Sequence, residues 1–474
     1  LIARFILNLA RVAGVVAPMV VACATVDAAS ISAVPSPERP NIVLILADDL
    51  GYGDLGCYGQ SRIKTPNLDK MAAEGMRFTQ FYSGSTVCAP SRCAMMTGLH
   101  TGHALIRGNA KVQLGAGDRT VARTLQESGY YTALIGKWGL GDYETSGAPQ
   151  RQGFKEFLGY LDQRHAHDYY TTHLFRVDPA NDYSGQIDFP ENAGGKKAVY
   201  THDLFSEAAL RFLKIHAPGA YPASKPFFLF LAYTIPHANN EEGARTGDGM
   251  EVPSRAPYEF ETWPGPEKGK AAMITRMDRD IGRFFDRLKE LKLEDRTLVI
   301  FTSDNGPHRE GGVKPEFFKS SGPLRGIKRD LYEGGIRVPM IVRWPGKVKS
   351  GQVSDVPWAQ WDLPATLASV AGITNAPAGD GLSFLPAILG QAQTNRHDYF
   401  YWEFHERGFT QAVRTGDWKG IRKEGAPFEL YDLKADIGEE KNLADKHPEM
   451  VGKLEAVMKS ARTPSSHWPG PKGS

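Results

Sequence analysis

The sequence IVLILADD at residues 42–49 decides the fold class, because six consecutive apolar residues run into two aspartates. A strand with one buried face alternates apolar and polar residues, so a continuous apolar run indicates a strand buried on both faces. Four more short apolar runs follow, at residues 132–135, 227–233, 298–302 and 338–342. The pattern predicts an α/β fold in which helices cover both faces of a mainly parallel central sheet.

Helical patterns separate these runs. One predicted helix opens at Pro66 and stops at Gly75, which matches the preference for Pro at the start of a helix and Gly just past its end. A longer one shows apolar residues at helical spacing from Met277 to Leu291. Both apolar stripes are interpreted as core.

The pattern changes near Asp398, where short aromatic-rich segments separated by turn residues indicate an antiparallel sheet. A closing helix is predicted around residues 450–458. We therefore expect an α/β domain at residues 39–390 and a small C-terminal subdomain at residues 391–474, with variable loops such as residues 151–199 and 237–269.

Charge is almost balanced over the 474 residues, with 56 Lys and Arg against 54 Asp and Glu and a formal net charge of +2. No global field draws such a chain to nucleic acid or to an anionic membrane surface. Recognition must therefore be local, and we expect no nucleic-acid partner.

The first residues resemble a targeting segment. Two arginines accompany an apolar run at residues 12–24 that is too short to span a bilayer. Small residues up to Ala29 favour a signal peptide at residues 1–29 and export to the periplasm or the medium. The alternative is a lipoprotein box that ends at Cys23 and anchors the protein to the outer membrane.

Removal of that segment leaves Cys57, Cys88 and Cys93. Three cysteines in an exported chain leave at least one without a disulfide partner. Such a cysteine is either buried and inert or present for chemistry.

Polar residues follow four of the predicted strands, and ligands of parallel sheets bind beyond the carboxyl ends of the strands. We therefore expect these residues to share one site: Asp48, Asp49, Lys137, His237, Asp304 and Asn305. Carboxylate and amide oxygens suit Ca²⁺ or Mg²⁺ better than zinc. Adjacent buried aspartates repel each other unless a cation lies between them, although each motif alone is also typical of a turn or helix cap.

A resemblance to a known family rests on CAPSR at residues 88–92, followed by TG at 97–98. CxPSR resembles the signature of the type I sulfatases, in which a maturation enzyme oxidises the cysteine to formylglycine. Other sulfatase-like stretches appear in the family's order: ADDLGYGDLGCYG from Ala47, GKWGLG from Gly136, SDNG from Ser303, LRGIKRDLYEGGIRVP from Leu324 and FELYDLKADIGEEKNL from Phe428. The resemblance runs from Arg39 to the end. It implies an alkaline-phosphatase-like sandwich with a four-stranded C-terminal subdomain, and a sulfuric ester hydrolase.

The resemblance also implies roles for individual residues. The residues that match the family's calcium ligands are Asp48, Asp49, Asp304, Asn305 and the modified Cys88. Those that match its sulfate-handling residues are Arg92, Lys137, His237 and Lys328. Fixed cations of this kind hold a sulfate ester and stabilise the charge that develops in the transition state.

In the mechanism that the resemblance implies, hydrated formylglycine attacks sulfur through one hydroxyl, and His237 protonates the leaving alcohol with help from Lys328. Loss of the proton from the second hydroxyl then expels sulfate. Gly139 departs from the family pattern, because many members carry the histidine for this step at that position. The candidate replacements for this histidine are His103, His165 and His167. Alternatively, Lys137 lowers the pKa of the second hydroxyl, and no dedicated base is needed.

The stretch GLHTGHALIRGN at residues 98–109 resembles bacterial members that desulfate polysaccharides, so the expected substrate is a sulfated carbohydrate. Candidate substrate contacts, which are equally interpretable as core or cap residues, are His103, Arg107, His165, His167, Tyr169 and Tyr170. Two alternatives stay open: a phosphodiester or phosphonate monoester hydrolase of the same fold, and a degenerate sulfated-glycan-binding protein, which only Gly139 favours.

Overall fold

The computed structural model describes residues 39–218, 220, 225–375 and 377–470. The predicted signal peptide at residues 1–29 lies outside the described residues. From Arg39 onward the chain forms one compact unit, and the domain boundary between residues 390 and 391 stays a prediction.

Within the described residues a mixed sheet of eleven strands forms the centre. Its strands are β1 Asn41–Ala47, β2 Met76–Tyr82, β3 Tyr131–Lys137, β4 Glu156–Tyr160, β5 His173–Asp178, β6 Tyr183–Asp188, β7 Phe227–Ala232, β8 Thr297–Ser303, β9 Arg337–Arg343, β10 Gln352–Ser354 and β11 Trp358–Ala359. The spatial order is β10-β2-β9-β8-β1-β7-β3-β4-β5-β6, and β11 also pairs with β2.

The middle of this sheet is parallel from β8 through β1, β7 and β3 to β4, as the sequence predicts. The apolar run at 338–342 forms a strand, β9, but it is antiparallel to both neighbours. Residues 151–199, expected to be loops, contain β4, β5 and β6. The sequence pattern missed β6 because its side chains are exposed or half-buried and carry no apolar run.

Helices cover both faces. They are α1 Pro66–Ala73, α2 Cys88–Thr97, α3 Val121–Glu127, α4 Thr201–Ile215, α5 Asn240–Thr246, α6 Gly265–Glu290, α7 Pro315–Phe318, α8 Glu333–Ile336, α9 Leu363–Val370, α10 Leu385–Ile388 and α11 Pro448–Ser460. Alternate residues of β1 enter different cores, because successive side chains of a strand point to opposite faces. Val43 and Ile45 pack with α1, α4 and α6, whereas Ile42 and Leu44 pack with α2, α3 and α9.

A second, antiparallel sheet follows, with β12 Phe400–Phe404, β13 Thr410–Thr415, β14 Trp418–Lys423 and β15 Glu429–Asp432 in that order. Helix α11 packs on it through Leu454 and Met458. Lys419 of β14 is fully buried, and its ammonium lies 2.9 Å from a carboxylate oxygen of Glu333 in α8. This ion pair connects the second sheet to α8. Among the helices described, none is both long and apolar enough to cross a bilayer.

Candidate active site

The carboxyl ends of the central strands lie in register. Ala47 at the end of β1 pairs with Ser303 at the end of β8, so the residues after both strands emerge side by side. The backbone N–H of Asp49 donates to Asp304 Oδ1 over 3.0 Å, and Asn305 Nδ2 donates to Asp49 Oδ1 over 2.6 Å. All four residues predicted from these two strand ends are completely buried.

Helix α2 brings Cys88 and Arg92 to the same carboxylates. The two residues are four apart, so their side chains lie on one helix face. Cys88 Sγ donates to Asp48 Oδ1 over 3.4 Å. Arg92 Nη2 lies 3.0 Å from Asp304 Oδ2 and 3.3 Å from Asp48 Oδ2, so one guanidinium bridges the ends of β1 and β8.

Two lysines complete the cationic part of the site. Lys137 Nζ, at the end of β3, donates to Asp48 Oδ2 over 2.6 Å, and Lys328 Nζ donates to Asp49 Oδ2 over 2.8 Å. Burial opposes the ionisation of Asp48, but the charges of Lys137 and Arg92 outweigh it and hold the pKa of Asp48 well below its ordinary value. The site thus holds fixed charges of both signs in a buried pocket.

Cys88 itself is poorly suited to act as a thiolate. Burial, reinforced by the negative charge of Asp48, raises the pKa of the thiol well above its ordinary value. The unmodified side chain is therefore a neutral thiol at neutral pH, and a thiol is a weak nucleophile. Cys57, Cys88 and Cys93 form no disulfide within the described residues.

His237 follows β7 and faces the same carboxylates. Its Nδ1 donates to the carbonyl of Ala238 over 2.6 Å, which leaves Nε2 to accept from Lys328 Nζ over 3.1 Å. Burial and the charge of Lys328 lower the pKa of His237 to about 3. His237 Nε2 lies 3.5 Å from Asp49 Oδ2.

The donor set fits a hard divalent cation. Three carboxylates and one amide converge, and Asn305 Oδ1 is buried without a hydrogen-bond partner in the part of the chain that the structure describes. A buried acceptor without a donor is costly and therefore points to an unfilled ligand role. Burial and the charge of Asp48 also raise the pKa of Asp304, so added positive charge would relieve repulsion at this position.

Sequence reasoning missed Glu310, which lies within the site. Its carboxylate lies 3.0 Å from Lys328 Nζ and 2.6 Å from Arg329 Nη1. Burial opposes ionisation, but the charge of Lys328 lowers the pKa of Glu310 below its ordinary value. Glu310 does not directly follow a strand, since β8 ends at Ser303, so the rule that located Asp304 and Asn305 gave no signal for it.

The neighbourhood of Gly139 is filled by another side chain. Gly139 has a φ of 79°, and a Cβ at this position would lie 2.1 Å from Gln163 Nε2. His167 lies instead against His237, with ring centroids 4.7 Å apart and planes 14° apart. His167 Nδ1 hydrogen-bonds to Glu241 Oε2 over 3.0 Å, which leaves Nε2 with the lone pair.

The other candidate substrate contacts occupy different surroundings. Arg107 is buried, and its Nη1 lies 2.9 Å from Glu403 Oε1. It is therefore a core residue and not a substrate contact. Tyr169 is also buried, and its hydroxyl donates to the carbonyls of Thr234 and His237. His103 Nδ1 lies 2.8 Å from Asp380 Oδ1, beside the C-terminal sheet.

His165 and Tyr170 line a large open cleft, which we name the side cleft. Its walls come from residues 142–145, 161–175, 192–197 and 239–251, and its volume is about 1290 Å³. Glu241 belongs to this wall and bonds His167, which stacks on His237, so the side cleft adjoins the buried site. Its volume exceeds the ~300–1,000 Å³ typical of small-molecule pockets.

Comparison with known proteins identifies the family of this chain. Residues 40–373 match the family model described as Sulfatase, and residues 327–463 match N-sulphoglucosamine sulphohydrolase, C-terminal. The N-acetylgalactosamine-6-O-sulfatase of Bacteroides thetaiotaomicron is 30% identical over 90% of this chain and 94% of that relative. Human arylsulfatase A is 33% identical over 88% of this chain and 87% of its own length.

A similar solved structure is that of Ps i-CgsB in complex with k-i-k-neocarrahexaose. It has a TM-score of 0.72 and 26% sequence identity, and the match covers 92% of this chain and 95% of that chain. Fold and site together define a sulfuric ester hydrolase. The chain belongs to the sulfatase family, whose members use a metal ion and formylglycine.

Proposed function

We propose that this enzyme hydrolyses sulfate esters of carbohydrates, with residue 88, as formylglycine, supplying the attacking oxygen. The observation that carries the proposal is the set of three buried cations around Cys88. Arg92, Lys137 and Lys328 all contact the aspartates that surround residue 88. A sulfate ester is an anion, and fixed cations in a dry pocket stabilise it and the charge that develops on its oxygens.

The residues proposed to hold a metal ion are Asp48, Asp49, Asp304 and Asn305, together with the modified residue 88. When bound, a Ca²⁺ or Mg²⁺ ion polarises the sulfate oxygens as a Lewis acid. Arg92 holds Asp48 and Asp304 in place, because its guanidinium contacts both. Lys137, which contacts Asp48, and Lys328, which contacts Asp49, bind the sulfate oxygens in this proposal.

His237 is the proposed acid for the leaving alcohol, with Lys328 as the source of its proton. Lys328 Nζ already donates to His237 Nε2, which faces Asp49 and residue 88, and the negative charge that develops on the leaving oxygen draws a proton along this chain in the transition state. Proton donation to the leaving oxygen removes the penalty of expelling an alkoxide.

For the proton of the second hydroxyl we propose His167 among the candidates left open by Gly139. Its Nδ1 is bound to Glu241, so Nε2 is the available acceptor. Burial and the charge of Lys137 lower its pKa, which keeps the ring neutral at neutral pH. His103 is bound to Asp380, and His165 Nε2 is bound to Thr171 over 2.8 Å.

A carbohydrate substrate is supported by the relatives and by the side cleft. The named relatives include N-acetylgalactosamine-6-sulfatases, and the similar structure holds an oligosaccharide. The side cleft offers both aromatic faces and polar side chains next to the buried site, a combination suited to sugar rings.

Parallel kinetics on an aryl sulfate, a matched phosphodiester and a phosphonate monoester test the reaction. We expect the sulfate ester to have the highest kcat/KM, and faster turnover of the phosphodiester would overturn the proposal. Sulfate release from a panel of defined sulfated oligosaccharides tests the substrate class. Tight binding of these sugars by the matured enzyme without any sulfate release would instead identify a non-catalytic binder.

A further inference from the structure

The side cleft carries an excess of negative charge. Seven carboxylates and only four lysine or arginine side chains line it. Three of those cations already bind carboxylates of the same wall: Arg164 to Glu241 over 3.1 Å, Lys197 to Glu251 over 2.6 Å and Arg245 to Glu242 over 2.7 Å. Lys196 is the only cation of the wall without an ion pair among the residues described.

Four carboxylates of the side cleft have no ion pair with any described side chain: Asp142, Glu144, Asp162 and Asp168. The effect of this crowding is visible at Asp168, whose pKa is raised by burial and by the charge of Glu251. His165 does not compensate, because burial and His173 lower its pKa to about 4 and leave it neutral at neutral pH. The potential in the cleft is therefore negative.

The buried site at residue 88 and the side cleft differ in the charges that surround them. Arg92, Lys137 and Lys328 lie together at residue 88, and their pKa values are all raised there, since nearby carboxylates outweigh the effect of burial. In the buried site three cations therefore offset the carboxylates, whereas the adjoining side cleft has four carboxylates without an ion pair among the residues described. Opposite charges steer a ligand into place, whereas like charges exclude it.

The side cleft also offers surfaces for an uncharged sugar. The rings of Tyr143 and Phe175 are stacked, with centroids 5.6 Å apart, and both line the cleft together with Tyr170. Such rings present apolar faces to the C–H groups of a pyranose, and the free carboxylates can accept hydrogen bonds from its hydroxyls. A neutral sugar satisfies both kinds of group.

We propose that the side cleft accepts an uncharged sugar unit next to the sulfated one, and that it disfavours a neighbour carrying a second sulfate or a carboxylate. This specificity rests on the proposed function, since it concerns the remainder of the same substrate. The substrate class is thus a saccharide with one sulfate on the reacting unit and neutral neighbours.

The test compares two disaccharides that share the same sulfated unit and differ only in the neighbour, a neutral hexose in one and a hexuronate in the other. At 0.01 M salt we expect kcat/KM to favour the neutral neighbour by about tenfold. The ratio of the two kcat/KM values should shrink at 0.3 M salt, because the Debye length, which is the range of the repulsion, falls from about 30 Å to less than about 8 Å. Equal values at low salt, or a preference for the hexuronate, would overturn the inference.

Asp162→Asn and Asp168→Asn probe the cleft charges directly. Each variant keeps the side-chain oxygen that accepts the backbone N–H of His165 or Tyr170. We expect the double variant to raise the ratio of kcat/KM for the hexuronate substrate to kcat/KM for the neutral substrate severalfold, because the repulsion of the hexuronate is removed. Asp286→Asn, an exposed residue of α6 outside the cleft, is the matched control and should not change this ratio.

An aryl sulfate measured in parallel separates the two levels of the proposal. No sulfate release from any of the three substrates would refute the proposed function itself. Release from the aryl sulfate but from neither disaccharide would leave sulfate-ester hydrolysis in place and refute the cleft assignment, since the cleft would then not accept a neutral sugar. A double variant whose ratio of kcat/KM for the two disaccharides equals that of the wild type would refute the cleft assignment in the same way.

Discussion

The side-chain amide of Gln163 fills the space beside Gly139: a Cβ there would lie 2.1 Å from Gln163 Nε2, which donates to the Gly139 carbonyl over 3.2 Å. The end of a glutamine can swing aside, whereas the backbone cannot easily leave its φ of 79°. Gly139→His should therefore cost about 1–2 kcal/mol of stability, mainly from this backbone conformation. The gain of a histidine should not raise turnover.

Thermal unfolding and steady-state kinetics of Gly139→His and Gly139→Ala check this expectation. Because the strain belongs to the backbone, both variants should lose similar stability. A Gly139→His enzyme as stable as the wild type and faster in turnover would show that position 139 is open to the missing group.

His167→Gln tests the proposed proton acceptor. Without it, alcohol should still leave in a first turnover, but sulfate release should slow by about 10²–10³-fold, in the range of general-base effects. Rapid-mixing measurements would then show a burst of alcohol ahead of sulfate. Glu241→Gln should give a milder version of the same uncoupling, because it removes only the partner of His167 Nδ1.

The order of product release separates this role from other functions of His167. A loss of kcat in which alcohol and sulfate stay in step would place His167 in the first step or in substrate binding. Partial rescue of His167→Ala by added imidazole would support the assignment.

Cys88→Ser tests the nature of the nucleophile. Serine has one hydroxyl instead of two, so the group transferred to it has no route of release. We expect at most one equivalent of alcohol per enzyme, a multiple-turnover rate reduced by more than about 10³, and a sulfo group on the peptide that contains residue 88. Mass spectrometry of that peptide in active wild-type enzyme should reveal the aldehyde; an unmodified thiol there would contradict the mechanism.

Chelation tests the metal site. Asp48, Asp49 and Asp304 share one buried pocket, and burial together with the charge of Asp48 raises the pKa of Asp304. A chelator should lower the midpoint of thermal unfolding and abolish activity, and Ca²⁺ or Mg²⁺ should restore both. Asn305→Ala should require at least about tenfold more metal for the same thermal shift. Full stability and activity in chelator would refute a bound ion.

The central strands could be predicted because each is an apolar run, and the site because polar residues follow those runs. Asp48, Lys137, His237 and Asp304 meet since parallel strands end at one edge of the sheet. Glu310 and Gln163 could not be found in this way, because each reaches its position through tertiary packing of a loop. For Arg107 the sequence pattern gave a wrong signal. Its motif indicated a substrate contact, but the side chain binds Glu403, which lies 296 residues away in the sequence.

Arg107 provides a final test, of structure rather than catalysis. Burial opposes the ionisation of Glu403, but hydrogen bonds from His405 and Arg462 and the charge of Arg107 lower its pKa to about 2, from an ordinary value of 4.5. A carboxyl with a lowered pKa stabilises the fold above pH 4.5, and this contribution disappears as the pH falls towards 2. Arg107→Met should therefore cost about 3 kcal/mol at pH 7 and much less near pH 3.

Urea unfolding at the two pH values measures this difference, and kcat/KM for an aryl sulfate and for a sulfated disaccharide gives the functional readout. With Arg107 bound to Glu403 over 2.9 Å and almost fully buried, we expect both substrates to keep kcat/KM within about threefold, as for changes away from the chemistry. Unchanged stability together with a raised KM for the disaccharide alone would contradict this expectation. Arg107 would then be a substrate-binding residue, because only a group that contacts the sugar can distinguish the two substrates.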